Sequence, residues 1–491
     1  MTNPTFPKHK DVLLNTKIVT SDTLKFRKLI GRQKIVVLGS GEKQTIQHSV
    51  FLGKICEANA NLPYNGYNVY IDTGFPSVIL IFGVRGTGKS YTLGNIVEGL
   101  IEDGAKVSTG CNRKALVLFD TLGHFWQMKS PPPDSDTEAT QLLKDWGLDK
   151  RGFENIEVFT PAGFPGAADE DWNEFALAYS DMEIDDWCGL IKMNQFDDPM
   201  GQLMSDAYAK VVTNGWDRIV VNEYETVGSD HVVANPAYTI TDLLYCIEND
   251  VIIHDEDRGF ARATTRGLIA RLTAMASWGV FSATGTSIDE IFRRGVLTII
   301  KLNSVPDNLK TLIAGLVVKK IFKNRALGKE KEELMRIKGE EFNEDDIFPE
   351  GWVLIDEAHN YCPTTGISSS KEWLIKFVKE GRSYGLGLVG TTQQPSALDG
   401  DLTSQVNVLI CHSLAFAQDI QAARDRLLNL DLKKVEIDGE TYDSNVLANV
   451  LRSLENGEAI ISTRDTNRVF VSRIRPRLAA HGGGHPQVID L

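Results

Sequence analysis

A glycine-rich segment that ends in a lysine and a serine has the most specific chemistry in this sequence. Residues 83–90 read Gly-Val-Arg-Gly-Thr-Gly-Lys-Ser, which matches the pattern G-x-x-x-x-G-K-S. An apolar run, residues 77–82, precedes this segment, and a predicted helix that begins YTLGNIV follows it. Glycines let such a loop wrap around a phosphate, so that backbone N–H groups and the helix N-terminus face the anion. A chance glycine-rich turn is the alternative, and both spacing and context argue against it.

The residue types in this segment predict a site for ATP and Mg²⁺. The Lys89 ammonium is expected to reach the β- and γ-phosphates, and the Ser90 hydroxyl to ligate Mg²⁺. Tyr91 follows directly, at the start of the predicted helix. The predicted nucleotide-binding residues are Gly83, Gly86, Gly88, Lys89, Ser90 and Tyr91.

Two adjacent carboxylates end another apolar run. Residues 352–355 read Trp-Val-Leu-Ile and are followed by Asp356 and Glu357. In P-loop ATPases a strand of this kind lies beside the phosphate loop, where the first acid holds the Mg²⁺ shell and the second polarises the attacking water. An exposed acidic cap at a strand end is the alternative, and the phosphate loop argues against it. Asp356 is therefore a predicted metal ligand together with Ser90, and Glu357 is a predicted catalytic residue.

Short apolar runs separated by helical patterns are expected to position these motifs. The runs occur at residues 77–82, 115–119, 296–300, 352–355, 386–390 and 408–410. Such runs are typical of strands that helices cover on both faces of a parallel sheet. Between two of them, apolar residues from Leu309 to Ile321 follow the spacing of one helix face. Strands that alternate with helices predict an α/β fold with a parallel sheet core.

Changes of pattern along the chain divide it into four predicted regions. Residues 1–70 predict a small strand-rich lead-in, with a reduced barrel as one form of it. Residues 71–125 predict the first part of the sheet core. Residues 126–290 are acidic and mostly helical in pattern, which predicts an insertion. Residues 291–491 predict the second part of the core, with a C-terminal hairpin and a tail.

Composition limits the expected partners and location. The formal net charge of −14 argues against a surface coated with basic groups, so any DNA-binding charge must be concentrated locally, as on the inner wall of a ring. The six cysteines are scattered, without a C-x-x-C pair, which favours buried thiols in a reducing compartment. The sequence shows neither a signal-peptide h-region nor a run long enough to span a membrane. We therefore expect a cytoplasmic protein without a membrane partner.

Four segments of the sequence can be compared with motifs of known families. Two of them are GWVLIDEAHNYCP at 351–363 and EGRSYGLGLVGTTQQPSALD at 380–399. The other two are FDTLGHF at 119–125 and RIRPRLAAHGG at 473–483. Together they resemble motifs of the HerA/FtsK/VirB4 branch of hexameric RecA-like ATPases, and of HerA in particular. The resemblance spans roughly residues 70–483. It implies a RecA-like core, a hexameric ring around DNA, and ATP sites between subunits.

The resemblance also implies catalytic roles for two further residues beside Lys89 and Glu357. Gln393 is similar to a polar sensor that contacts the γ-phosphate or the attacking water. Arg382 is similar to an arginine that reaches the nucleotide of a neighbouring subunit, as an arginine finger does. The alternatives are a glutamine in a turn and an arginine that caps a helix. For the tail at 473–483, the alternatives are a segment that crosses to the adjacent subunit and an unstructured end.

Two functions of different classes follow from the resemblance. The first is an ATP-hydrolysing hexameric motor that translocates double-stranded DNA and acts with a partner nuclease or another effector, with antiphage defence as one setting. The second is a regulatory ATPase scaffold that assembles and controls a partner without processive translocation. The partner would be a separate nuclease or NAD-consuming enzyme, because motifs for either chemistry are not evident in this sequence.

Overall fold

The computed structural model of the 491-residue chain describes most of its residues. The described ranges are 18–19, 29–30, 34–39, 47–56, 65–101, 106–109, 113–166, 172–222, 225–341, 343–427, 435–437, 440–442, 446–463 and 468–482. The strands in these ranges are β1 (Ile18–Val19), β2 (Leu29–Ile30), β3 (Ile35–Leu38), β4 (Ser49–Ile55), β5 (Asn68–Asp72), β6 (Val78–Phe82), β7 (Ala115–Asp120), β8 (Ile156–Pro161), β9 (Asn173–Phe175), β10 (Leu177–Ala178), β11 (Trp216–Asn222), β12 (Glu225–Val232), β13 (Phe281–Ser282), β14 (Leu297–Lys301), β15 (Gly351–Ile355), β16 (Leu386–Thr392), β17 (Val408–Cys411), β18 (Val435–Ile437), β19 (Glu440–Tyr442), β20 (Glu458–Thr463) and β21 (Arg468–Ile474).

The helices of the described ranges are α1 (Lys89–Ile101), α2 (Thr137–Trp146), α3 (Ile184–Ile191), α4 (Pro199–Ala209), α5 (Ile240–Asn249), α6 (Arg262–Ala276), α7 (Ile288–Ile291), α8 (Asp307–Lys338), α9 (Lys371–Glu380), α10 (Gly400–Ser404), α11 (Ala417–Arg426) and α12 (Val446–Ser453). Short 3₁₀ turns lie between them, among them Phe125–Lys129, Ala358–Asn360 and Gly381–Tyr384. None of the helices in these described ranges combines the length and the apolar character needed to cross a bilayer.

One large mixed sheet forms the centre of the molecule. Its strand order within the described residues is β2-β3-β5-β4-β21-β20-β17-β6-β16-β15-β7-β14-β8-β9. From β17 to β9 every neighbouring pair is parallel. The predicted α/β fold with a parallel sheet core is therefore confirmed.

Both faces of this sheet are buried, as the continuous apolar runs predict. On β6 the side chains of Val78, Leu80 and Phe82 belong to one buried cluster. Ile79 and Ile81 point the other way and belong to a second buried cluster. Because successive side chains of a strand alternate between faces, an all-apolar strand is stable only where helices cover both sides.

The longest helix, α8, covers one face of the sheet. Its apolar residues Leu309, Leu312 and Leu316 are buried in the same cluster as Leu80. An aspartate, Asp307, lies in its first turn, and basic residues lie in its last turn, which suits the helix dipole. Gly339, with a φ of 69°, ends the helix in the left-handed conformation that favours glycine.

Two predicted regions contribute strands to the same sheet. In the lead-in, β4 pairs antiparallel with β21 and with β5, which in turn pairs with β3. The described part of the stretch 126–290 contains helices α2 to α6 and most of α7, but also β8, which pairs with β14 in the main sheet. The helical pattern of that stretch did not predict β8. The four domain limits stay a prediction.

Candidate nucleotide site

The phosphate loop lies between the end of β6 and the start of α1. Gly83 allows close packing, because an added Cβ would lie 2.7 Å from Thr87 Oγ1 and 2.8 Å from His412 Cβ. Gly86 has a φ of 83°, a conformation that other residues rarely adopt. Gly88 is also left-handed, and α1 begins at the next residue. The loop therefore leads directly into the start of α1, whose first N–H groups have no partner within the helix, and this suits a phosphate.

The Lys89 ammonium is folded back on this loop. Its Nζ donates to the Val84 carbonyl oxygen over 2.9 Å. Burial lowers the pKa of Lys89, while the negative charges of Glu357 and Asp356 oppose that shift. The Lys89 cation therefore lies close enough to interact electrostatically with both predicted acids, although it is distant from them in the sequence.

Asp356, directly after β15, lies close to Ser90 in the first turn of α1. Ser90 Oγ lies 3.4 Å from Asp356 Oδ1, which also accepts a hydrogen bond from Thr391 Oγ1 over 2.8 Å. Asp356 Oδ2 is buried and has no hydrogen-bond partner among the described residues. Burial raises the pKa of Asp356 to about 7, and the nearby charges of Glu357 and Asp120 add to this. A hydroxyl and a carboxylate with a spare buried oxygen fit Mg²⁺, which prefers oxygen ligands.

Glu357 is held in an unusual backbone conformation. Its φ of 57° is left-handed, which costs a residue other than glycine roughly 1–3 kcal/mol and persists where the surroundings enforce it. Its N–H donates to Thr391 Oγ1 over 3.1 Å. Its carboxylate accepts from the side-chain amide and the backbone N–H of Gln393, and Oε2 lies 3.4 Å from His359 Nδ1. The structure therefore brings Glu357 and Gln393 into direct contact.

The strand that ends in the two acids is not the immediate neighbour of the phosphate-loop strand. Strand β16 lies between them and pairs with β6 on one side and β15 on the other. The end of β15 nevertheless lies beside the phosphate loop, as expected, because Ser90 Oγ is 3.4 Å from Asp356 Oδ1. The intervening strand ends at Thr392, so that Gln393 follows it at the same edge as Gly83.

Asp120, at the end of β7, is a buried carboxylate for which the sequence suggested no role. It accepts hydrogen bonds from the backbone N–H groups of Gly123, His124 and Phe125, over 2.7, 3.1 and 2.9 Å. Burial raises the pKa of Asp120, and these hydrogen bonds oppose the shift. Asp120 thus fixes the turn after β7 beside Asp356. The signal in the sequence is an aspartate at a strand end, three residues before a glycine.

The side chain of Tyr91 contacts the C-terminal segment of its own chain. Its hydroxyl accepts from the Arg477 N–H over 2.8 Å, and its ring meets the His481 ring edge-on at 5.4 Å between centroids. Its backbone lies in the first turn of α1, beside the phosphate loop. The side chain of Tyr91 is therefore engaged by the C-terminal segment, and its predicted contact with the nucleotide stays a prediction.

A buried ion-pair cluster fastens this segment to α1. Glu98 on α1 lies 2.8 Å from Arg475 Nη1 and 3.2 Å from Arg477 Nε. It also accepts from the N–H groups of Leu478 and Ala479. The side chains of Glu98, Arg475 and Arg477 are at most 2% exposed. Residues 475–482 are therefore structured and pack against their own chain, so the alternative of an unstructured end is wrong for them. The crossing to an adjacent subunit stays a prediction, and residue 483 lies outside the described residues.

Arg382 lies far from its own phosphate loop, at the opposite edge of the sheet. It belongs to the 3₁₀ turn Gly381–Tyr384, which precedes the start of β16, whereas the phosphate loop follows the end of β6. The two strands are parallel, so these positions are at opposite ends. The Arg382 side chain is exposed and has no hydrogen bond or ion pair among the described residues. Among the described residues, the Arg382 side chain donates none of the hydrogen bonds to α9 carbonyls that helix capping requires.

These features define the class of protein. A parallel sheet with a phosphate loop between a strand and a helix, and with acids at the end of a nearby strand, is the arrangement of P-loop nucleotide-binding proteins of the RecA-like type. Lys89, Ser90, Asp356, Glu357 and Gln393 lie together at one sheet edge, and Arg382 lies at the other.

Comparison with known families agrees with this class. The family model "Helicase HerA, central domain" matches residues 59–321, which is more than half of the chain. The chain therefore belongs to this family, and the resemblance to HerA/FtsK-type ATPases is confirmed.

Curated relatives match over part of their length. A probable helicase of Methanocaldococcus jannaschii, MJ1565, is 27% identical over 169 residues, 34% of this chain and 28% of that protein. The DNA double-strand break repair helicase HerA of Saccharolobus solfataricus is 25% identical over 182 residues, 37% of this chain and 32% of that protein. The chain thus spans about a third of the length of these relatives. Among solved structures, the bacterial conjugative coupling protein TrwBdeltaN70 superposes with a TM-score of 0.49 at 12% identity, over 96% of this chain and 98% of that chain.

Proposed function

We propose that this protein is an ATP-hydrolysing motor that translocates double-stranded DNA as a homo-hexameric ring and acts with an effector in a separate protein. The observation that supports it best is the split arrangement of the candidate groups. Lys89, Asp356 and Glu357 converge at one sheet edge, while the exposed Arg382 lies at the other edge without a partner among the described residues. Such a chain can complete its site with a neighbouring copy.

Hydrolysis would use the groups of one chain for binding and for the attack of water. Lys89 and the loop N–H groups bind the phosphates of ATP, and Ser90 and Asp356 hold Mg²⁺, which neutralises phosphate charge when bound. Glu357 accepts the proton of the water that attacks the γ-phosphorus, as the bond to the β–γ bridging oxygen breaks and ADP leaves. Gln393 orients this carboxylate through the two hydrogen bonds described above.

The neighbouring copy would supply Arg382 to the transferring phosphoryl group. A guanidinium in this position stabilises charge that develops in the transition state. Contacts of the head-to-tail kind close into a ring when the rotation between copies allows it. The family membership and the name of the relative, a DNA repair helicase, support DNA as the substrate. A cytoplasmic location remains a prediction of the sequence.

ATP turnover and movement on DNA can be measured separately. The purified protein is assayed for ATP hydrolysis with and without linear double-stranded DNA, and for ATP-dependent displacement of the third strand from a DNA triplex. The motor predicts both activities in the wild type and neither in Glu357→Gln, which still binds ATP. The matched control is Glu372→Gln, an exposed glutamate without a hydrogen bond or ion pair to the site residues in the described part of the chain, which should behave as the wild type. Hydrolysis without triplex displacement, with DNA and effector present, would overturn translocation in favour of the scaffold.

A further inference from the structure

A fully buried arginine on α8 has no role in the nucleotide site described above. Arg325 lies beyond the middle of this 32-residue helix, and its side chain is 0% exposed. Its Nε donates to the Tyr384 carbonyl oxygen over 2.8 Å. Its Nη1 lies 2.8 Å from Glu332 Oε1, and its Nη2 lies 3.4 Å from Glu350 Oε1. A buried guanidinium is costly to desolvate, so an arginine here calls for an explanation beyond the filling of space.

The groups that Arg325 contacts hold the 3₁₀ turn of Arg382. Tyr384 is the last residue of that turn, and its ring meets the Phe322 ring of α8 edge-on at 5.2 Å. Gly385 follows with a φ of 80°, and an added Cβ there would lie 2.5 Å from Glu350 Cδ. The end of the turn is therefore held between α8 and Glu350, while Arg382 itself remains exposed.

We propose that Arg325 is a positioning residue for Arg382. It fixes the backbone of the Gly381–Tyr384 turn, so that the exposed guanidinium of Arg382 is presented in one orientation to a second copy of this chain. This inference rests on the proposed function, in which Arg382 acts on the nucleotide of the neighbouring subunit. Replacing buried ion pairs by apolar residues is often neutral for stability, whereas ion pairs of this kind can specify one geometry. The direct hydrogen bond to Tyr384 makes the geometry of the turn the property that Arg325 controls.

The effect on catalysis should differ from that of a damaged phosphate loop. In Arg325→Met the loop is intact, so ATP binding, measured with a fluorescent ATP analogue, should stay within about threefold of the wild type. The turnover number should fall on the order of 10²-fold, the cost of a displacement of about 1 Å in a catalytic group. Arg325→Lys is the milder variant if Arg325→Met does not fold. The lysine ammonium lacks the planar fork of donors needed for three partners. The Arg325→Lys variant should therefore also bind ATP almost normally and have a lower turnover number.

A second buried cation on the same helix provides the matched control. Lys319 is 4% exposed and lies 3.0 Å from Glu183 and 3.2 Å from Asp186, the latter on α3. It contacts neither the 3₁₀ turn nor Glu350. Lys319→Met should therefore lower stability without the loss of turnover per folded subunit.

Mixed rings test whether the loss arises from Arg382. Subunits with Lys89→Ala have a damaged loop and an intact Arg382, so they should restore activity to Arg325→Met subunits as they do to Arg382→Ala subunits. The double variant Arg325→Met with Arg382→Ala should be no slower than Arg382→Ala alone. Two results would overturn this inference and leave the proposed function intact. One is that Lys89→Ala subunits rescue Arg382→Ala but rescue neither Arg325→Met nor Arg325→Lys. The other is that both Arg325 variants lose ATP binding. Absence of rescue for Arg382→Ala itself would overturn both.

Discussion

Replacing Glu98 by glutamine should destabilise the protein although the two side chains have the same size. Glu98 is the anion for two guanidinium groups, Arg475 and Arg477, and all three are buried. The substitution leaves both cations without a counter-ion and places an amide donor against N–H donors. Removing one partner of a buried ion pair costs about 3–5 kcal/mol. This is a large fraction of a total stability of about 5–15 kcal/mol.

The loss can be measured as a shift in the urea midpoint. With a slope of about 3 kcal/mol per molar urea, a loss of about 3 kcal/mol moves the midpoint of unfolding down by about 1 M. The control is Asp149→Asn, which breaks an exposed ion pair with Lys106 and should move the midpoint by less than about 0.3 M. Replacing Glu98, Arg475 and Arg477 together by methionine should recover most of the loss, because no buried charge remains.

The comparison of the single and triple variants decides the argument. Equal urea midpoints for the wild type and Glu98→Gln would refute the claim that the charge of Glu98 anchors the C-terminal segment. A triple variant less stable than Glu98→Gln would show that shape, rather than charge, determines the contact.

Four further outcomes follow from the site. Lys89→Ala should abolish steady-state ATP hydrolysis while the circular dichroism spectrum is unchanged, and wild-type turnover in the folded variant would contradict the loop assignment. Glu357→Gln should bind a fluorescent ATP analogue but hydrolyse ATP far more slowly, whereas loss of binding would make Glu357 structural. Arg382→Ala should bind ATP and lose about 10³–10⁵ in rate, with activity regained in mixtures with Lys89→Ala after verified subunit exchange. Asp356→Asn should stabilise the metal-free protein at pH 8. The pKa of Asp356 is raised from 3.8 to about 7, so the free energy of unfolding of the wild type falls as the pH rises between these two values. The fall is at most about 4 kcal/mol, and the uncharged asparagine does not undergo it. Urea midpoints in EDTA at pH 5 and pH 8 test this, and a variant no more stable than the wild type at pH 8 would contradict it.

The sequence was sufficient to predict the parts of the site that depend on local pattern. The phosphate loop depends on eight adjacent residues, and Asp356 and Glu357 end an apolar run. Because parallel strands end at one edge, these motifs could be expected to meet once the sheet was predicted. Gln393 was placed by resemblance, and it contacts Glu357.

Features that depend on strand order or on distant pairs could not be predicted in this way. The insertion of β16 between β6 and β15 is a property of topology, which no local pattern encodes. Glu98 and Arg475 are 377 positions apart, and each alone resembles an ordinary surface charge. Arg325 lies within a helix whose charged residues suggest exposure. Two of its three partners come from elsewhere in the chain, namely Glu350, which directly precedes β15, and Tyr384 in the Arg382 turn.

The fastening of residues 475–479 to α1 has a consequence for synthesis of the protein. Helix α1 begins at Lys89, yet the groups that neutralise its buried Glu98 are translated almost four hundred residues later. Until they emerge from the ribosome, the nascent chain lacks the two arginines that neutralise Glu98 on the helix that follows the phosphate loop. Contacts between such distant residues form late and slow folding. The packing of α1 is therefore completed only after residues 475–479 have been synthesised.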